Sequence, residues 1–177
     1  MVVIAISGLP GAGTSTIAKL LAKKLKLKYF SPGEYFKSHS KARTQMEQAK
    51  EVFESGKGKQ KDFHEKIDKM QIELAKKGNI VICGKLSILM LKDLADYKIW
   101  IDCSFNERAR RAAERDQIDL KQMKKMLKER EEIEKKEWIK DYGFDREKQR
   151  EMADVVIDSS KLNEEETLEK ILKLINL

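Results

Sequence analysis

Gly8, Leu9, Pro10, Gly11, Ala12, Gly13, Thr14 and Ser15 follow an apolar run and lead directly into Thr16 and a helical pattern. Glycines at this density let successive backbone N–H groups turn toward one anion, and the positive end of the following helix adds to the attraction. The chemistry implied is phosphate binding. The run departs from G-x-x-x-x-G-K-[ST] in one place, with Thr14 standing where lysine is expected. A point charge normally offered to the outer phosphates must then come from elsewhere. Ser15 stands where a hydroxyl ligates Mg²⁺. Gly8, Pro10, Gly11, Ala12, Gly13, Thr14, Ser15 and Thr16 are thus the candidate cofactor-binding residues, with Ser15 the candidate metal ligand.

Other reactive residue types give weaker signals. Arg108, Arg111 and Arg115 recur at helical spacing, which suits either a phosphate clamp or a solvated helix face. His39 and His64 stand alone and are expected at the surface. Asp102 and Asp158 fall at strand ends, as turn or N-cap residues or as metal partners. Cys83 and Cys103 are the only cysteines, form no CxxC pair and have no nearby His, so they read as reduced thiols.

These residues need a scaffold, and the apolar pattern supplies one. Short β-branched runs at 2–6, 28–30, 79–83, 98–101 and 155–158 alternate with amphipathic charged stretches. The helical pattern covers 15–25, 33–41, 44–54, 62–76, 86–91, 105–115, 119–140 and 164–175. Such alternation predicts a parallel sheet covered by helices on both faces. About fifty residues separate the second strand from the third and the fourth from the fifth, more than a compact α/β unit needs. Two helical insertions, at 38–77 and 116–147, account for the excess. Gly56, Lys57, Gly58 and Lys59 break the first, and Asp141, Tyr142 and Gly143 stop the helix of the second.

A chain of 177 residues can bury one self-sufficient core. No apolar run approaches the roughly 20 residues that span a bilayer, and no secretory pattern opens the sequence, so a cytoplasmic location without membrane partners is expected. The net charge of +7 with 38% charged residues suits either a nucleic-acid surface or a solvated Lys/Glu coat. The interleaving of Lys with Glu over 124–136 favours the coat.

Several segments, in order, resemble the nucleoside monophosphate kinases, and most of all the archaeal type of cytidylate kinase. The loop Gly11-Ala12-Gly13-Thr14-Ser15 is similar to the family's Gly-Ser-Gly-Thr-Thr, which also lacks the lysine. Ser31-Pro32-Gly33-Glu34-Tyr35-Phe36 resembles Ser-x-Gly-[Asp/Glu]-x-Phe. Ile67-Asp68-Lys69-Met70-Gln71 resembles an Asp-Arg-x-Gln segment, and Gly84-Lys85-Leu86-Ser87 resembles Gly-Arg-Leu-Ser. Arg108, Arg111 and Arg115, then Arg130-Glu131, Trp138, Tyr142-Gly143-Phe144-Asp145 and Asp154-Val155-Val156-Ile157-Asp158 continue the likeness over nearly the whole chain.

The resemblance implies a P-loop kinase fold: three layers, a five-stranded parallel sheet of order 2-3-1-4-5, a core of 1–37, 78–115 and 148–177, an acceptor-binding insertion at 38–77 and a lid at 116–147. It implies ATP with Mg²⁺ as donor and a nucleoside monophosphate, CMP first and dCMP or UMP after it, as acceptor. Gly33, Glu34, Lys37, Asp68, Gln71, Gly84 and Lys85 then bind the acceptor, while Arg111, Arg115 and Arg130 close over the transferred phosphoryl group as the catalytic cations. Trp138 and Tyr142 are expected in the lid core.

Departures from the family pattern cluster at phosphate positions. Lys37 and Lys85 replace arginines, Glu137 occupies a lid position usually held by Arg, and Cys83 replaces an acidic residue. Lysine keeps the charge of arginine and loses its bidentate fork. Two other classes remain open on this basis: a nucleotide-binding, weakly active relative serving as a sensor or assembly factor, and an RNA-associated basic protein.

Overall fold

The computed structural model describes residues 1–38, 42–44, 46–48 and 61–177. Five strands, β1 (Val3–Gly8), β2 (Lys28–Phe30), β3 (Ile80–Cys83), β4 (Tyr97–Asp102) and β5 (Val155–Asp158), form one sheet of order β2-β3-β1-β4-β5. All pairings are parallel: Ile4 lies opposite Val81 and Tyr97, and Trp100 opposite Val156. This is the order expected from the sequence.

Among the described residues the helices are α1 (Thr14–Lys24), α2 (Pro32–Lys37), α3 (Lys61–Lys76), α4 (Ser87–Met90), α5 (Phe105–Asp116), α6 (Leu120–Tyr142), α7 (Gln149–Met152) and α8 (Glu164–Ile175). Their ends follow from local chemistry. Asp119 caps α6 by accepting from the N–H groups of Lys121 and Gln122 at 2.9 and 3.1 Å, and Gly143 ends it in the left-handed conformation. Asn163 and Glu166 close a reciprocal capping box on α8. The predicted helix at 44–54 and the break at 56–59 lie outside the described residues or nearly so. The short turns after α6, a 3₁₀ helix at Arg146–Lys148 and α7, carry no long apolar period and go beyond the elements expected from the sequence.

Strand side chains alternate between faces, so each strand serves two cores. Ile4, Ile6, Val81, Ile99, Ile101 and Ile157 pack against Ile17 and Leu21 of α1 and Ile171 and Ile175 of α8. Val3, Ala5, Ile80, Ile82 and Trp100 pack on the other face with Ala75 of α3 and Ile88 and Leu91 near α4. Burial on both faces explains why these strands read as continuous apolar runs. A third cluster joins Ala109, Ala112 and Ala113 of α5 to Met123 and Leu127 of α6, with Met46. It fixes the long charged helix beside the C-terminal edge of the sheet. No described helix is long and apolar enough to cross a membrane.

Candidate active site

Parallel strands all end on one edge, and ligands of open α/β sheets bind outside that edge. Here a cavity of about 990 Å³ lies there, lined by the loop after β1, the segments after β2, β3 and β5, and α5 and α6. It gathers every residue singled out from the sequence as a site residue except Gln71: the loop from Gly8 to Thr16, Gly33, Glu34, Lys37, Asp68, Gly84, Lys85, Arg111, Arg115 and Arg130.

The loop's shape depends on two left-handed residues, Gly11 at φ 83° and Gly13 at φ 84°, where side-chain-bearing residues are strained. A Cβ on Gly11 would also lie 2.9 Å from the carbonyl oxygen of Arg108. Gly13 precedes α1 without a side-chain cap, which leaves the first-turn N–H groups to another acceptor. Arg108 braces the loop from below. It is 4% exposed, and its guanidinium donates to the carbonyls of Pro10 and Cys103 at 2.9 and 3.0 Å and pairs with Glu131 of α6. It is neither a solvated residue nor an open phosphate clamp, since it is buried, its Nε and Nη1 are engaged by the protein itself and it does not line the cavity. Burial pushes the Cys83 thiol up to about 11, so this thiol stays protonated.

The three predicted catalytic arginines each meet an internal carboxylate. Arg111 pairs with Glu107 at 2.9 Å and donates to the carbonyl oxygens of Ser159 and Leu162 at 2.7 and 3.3 Å. Its Nη1 lies 3.8 Å from where a Cβ on Gly13 would sit, which sets it beside the loop. Arg115 pairs with Asp116 at 2.7 Å. Arg130 pairs with Glu134 at 2.7 Å. Lys85 reaches the same Oε1 of Glu134, and Arg146 holds Oε2 at 2.6 Å.

Glu134 is fully buried. Burial opposes its charge, but Lys85, Arg130 and Arg146 outweigh that cost and hold the carboxyl well below the usual range. The Lys85 ammonium is pushed down by burial and by the two arginines against the pull of Glu134. Burial, with Arg130 and Arg115 nearby, likewise pushes Lys37 down, to about 8.

Asp68 accepts from the Tyr142 hydroxyl at 2.6 Å and from Gln71 Nε2 at 3.0 Å. Burial raises its carboxyl above the ordinary value although both hydrogen bonds oppose the rise. Gln71, 1% exposed, passes the connection on by accepting from Ser87 at 3.0 Å. It therefore positions Asp68 from behind.

Two expectations change here. His64 is buried, not at the surface, because it sits between Phe36 and Trp138, with ring centroids 6.0 and 5.3 Å away. Trp138 and Tyr142, expected in a core, pack against each other on α6 with ring centroids 5.5 Å apart, yet both also line the cavity. Glu137 does not line it; its Oε2 is buried without a hydrogen-bond partner among the described residues. Asp102 is committed to Trp100 Nε1 and Arg150, and Asp158 to Ser160, so both act as structural acceptors.

Glu134 is the residue that sequence reasoning missed. Its only signal was the four-residue spacing from Arg130, shared by many pairs in the same charged run.

A parallel sheet of this order with a glycine loop entering α1 defines a P-loop kinase. The fold matches a shikimate kinase from Bacteroides thetaiotaomicron at a TM-score of 0.68, with 16% identity and 99% of each chain covered. It also matches a shikimate kinase from Aquifex aeolicus at 0.62, with 19% identity over 98% of this chain and 96% of that one. At such identities the likeness concerns the fold alone.

Residues 3–161 match the model of the cytidylate kinase-like family, and the chain belongs to that family. It is 36% identical to the cytidylate kinase of Methanocaldococcus jannaschii, across 90% of this chain and 89% of the relative. Identity to the cytidylate kinase of Staphylothermus marinus is 34%, across 99% and 97%. The protein is an ATP-dependent nucleoside monophosphate kinase, and its family implies a divalent metal.

The Arg108 brace has a measurable consequence. Arg108→Met keeps most of the apolar stem and removes the donors to Pro10 and Cys103, so the loop loses its support. The KM for ATP should rise by about tenfold or more, since misplacing a binding loop by even an ångström is costly. An ATP KM equal to wild type, with the variant folded, would show that the loop holds its shape without Arg108.

Proposed function

We propose that the enzyme transfers the γ-phosphoryl group of Mg²⁺-ATP to CMP, with dCMP or UMP as lesser acceptors. The observation that carries this reading is one cavity lined both by the phosphate loop and by Lys37, Lys85 and Asp68. The cytidylate kinase relatives support the choice of base.

In this reading the backbone N–H groups from Gly11 to Ser15 hold the donor phosphates. Lys37 and Lys85 grip the phosphate of the acceptor as point charges, beside Gly33, Glu34 and Gly84. Arg111, Arg115 and Arg130 supply the charge that Thr14 does not. The segment 38–77 acts as the acceptor-binding insertion and 116–147 as the lid. Asp68, oriented by Tyr142 and Gln71, faces the base edge.

The donor set fits Mg²⁺. The described residues contain no cluster of three His, Cys, Asp or Glu that could hold a metal, and Mg²⁺ is commonly held by one protein oxygen, phosphates and water. Ser15 would be that oxygen, and the ion would neutralise charge on the β- and γ-phosphates. Transfer needs little covalent help from the protein. Positioning and charge neutralisation carry it, and a closed lid excludes water as a competing acceptor.

A panel of CMP, dCMP, UMP, AMP and GMP with Mg²⁺-ATP tests the reading. CMP should give the highest kcat/KM, well above ATP hydrolysis alone. A higher kcat/KM for a purine monophosphate would refute the pyrimidine assignment.

The pH dependence gives a second check. With its ammonium pushed down to about 8, Lys37 loses its proton in the unliganded enzyme as the pH rises through that value. An arriving phosphate favours the charged form, so acceptor binding takes up a proton above it. The acceptor KM should therefore increase from about pH 7 to about pH 9, the span over which such an ammonium titrates. In Lys37→Arg the increase should flatten. A wild-type KM independent of pH over this span would remove Lys37 from the acceptor site.

A further inference from the structure

Oε1 of Glu134 takes both Lys85 Nζ and Arg130 Nε, while Oε2 takes Arg146. The two sides differ in what they face. Lys85 and Arg130 line the cavity; Glu134 and Arg146 do not. Arg146 and Glu134 are buried, at 3% and 0% exposed, so this half of the cluster is an anchor. Arg130 is fixed by its Nε on Glu134, and its Nη1 meets Met46 Sδ at 3.8 Å.

Three cations against one carboxylate leave a surplus of up to two positive charges, the second of them complete when an arriving phosphate favours the charged form of Lys85. A phosphomonoester carries a charge of about −1.5 to −2 near neutrality. The surplus therefore matches one phosphate group.

We propose that Glu134 is the positioning residue of the acceptor-phosphate subsite: anchored by Arg146 on one oxygen, it uses the other to aim Lys85 and Arg130 together at the phosphate. The proposal rests on the assignment of Lys85 to the acceptor, and it places Arg130 on the acceptor's side of the transferred phosphoryl group rather than over the donor. It gives α6 a second task, because the lid helix carries both the carboxylate and one of the two cations it aims. Preorganisation of this kind lowers the cost of gathering like charges at the moment of binding. Lysine in place of arginine at position 85 makes the device more important, since a flexible ammonium has no fork of its own to set its direction.

The test compares Glu134→Gln and Glu134→Asp with wild type, using the acceptor that the monophosphate panel identifies, so failure of that assignment would be seen separately and first. Glutamine keeps the shape and loses the charge; aspartate keeps the charge and is one methylene too short to serve both cations from the same anchor. Glu134→Gln could unfold, with three buried cations left unpaired, and Glu134→Asp then carries the comparison alone. Both folded variants should raise the acceptor KM by about tenfold or more, as displaced binding groups do. The KM for ATP should stay within about threefold, half a decade or 0.7 kcal/mol at 25 °C. A purely structural role would raise both constants together or lower thermal stability while leaving both unchanged. Either of those results in Glu134→Asp overturns the proposal.

Discussion

Lys85 follows a core strand, Arg130 sits on the long helix α6 and Arg146 lies in the short turn beyond it, and the three meet at one buried carboxylate, Glu134. Removing Glu134 and Arg146 from water, and Lys85 and Arg130 in part, is expensive, and only close pairing with hydrogen bonds offsets it. Deleting one partner of such a buried group typically costs about 3–5 kcal/mol, because another charge is left uncompensated. The position of α6 against the sheet and the positive character of the cavity thus depend on the same contact. Arg108 with Glu131 repeats the arrangement one turn earlier on α6, where it secures the phosphate loop.

The loss of lysine from the loop is easier to understand in this setting. The cavity is ringed by Lys37, Lys85, Arg111, Arg115 and Arg130, drawn from four different segments. Unscreened, these cations would repel one another, so Glu107, Asp116 and Glu134 hold four of them, Arg111, Arg115, Arg130 and Lys85, by direct contacts. A phosphate arriving in such a ring finds charge already paid for in desolvation and already directed. Electrostatic stabilisation is commonly the largest contribution to phosphoryl transfer, and its source matters less than its orientation.

The part of the cavity proposed for the acceptor is built differently. Its polar groups form a chain in which Ser87, Gln71, Asp68 and Tyr142 are linked one to the next, with His64 and Trp138 packed alongside. Such a chain fixes the carboxylate of Asp68 while the aromatic rings keep its surroundings dry, and both raise the stakes of a mismatched base edge. Residues that sequence comparison treats as one binding group thus divide into a member at the cavity wall and a member behind it.

The extent of most elements and the phosphate loop were legible in the sequence because each rests on local rules, whereas the sheet order came with the family resemblance. Apolar runs of four or five residues mark strands buried on both faces, Asp119 and Gly143 bound their helix by capping geometry, and Gly11 and Gly13 announce a backbone that other residues resist. The short turns at 146–152, burial of His64 and the withdrawal of Gln71 from the cavity were not legible. Each depends on which distant side chains lie opposite. Glu134 is the clearest case: within its run it is one glutamate among several, all with the same propensity and similar neighbours. Only the packing of α6 over the strand ends turns this one inward, where the absence of water changes a solvated surface charge into the group that organises three cations.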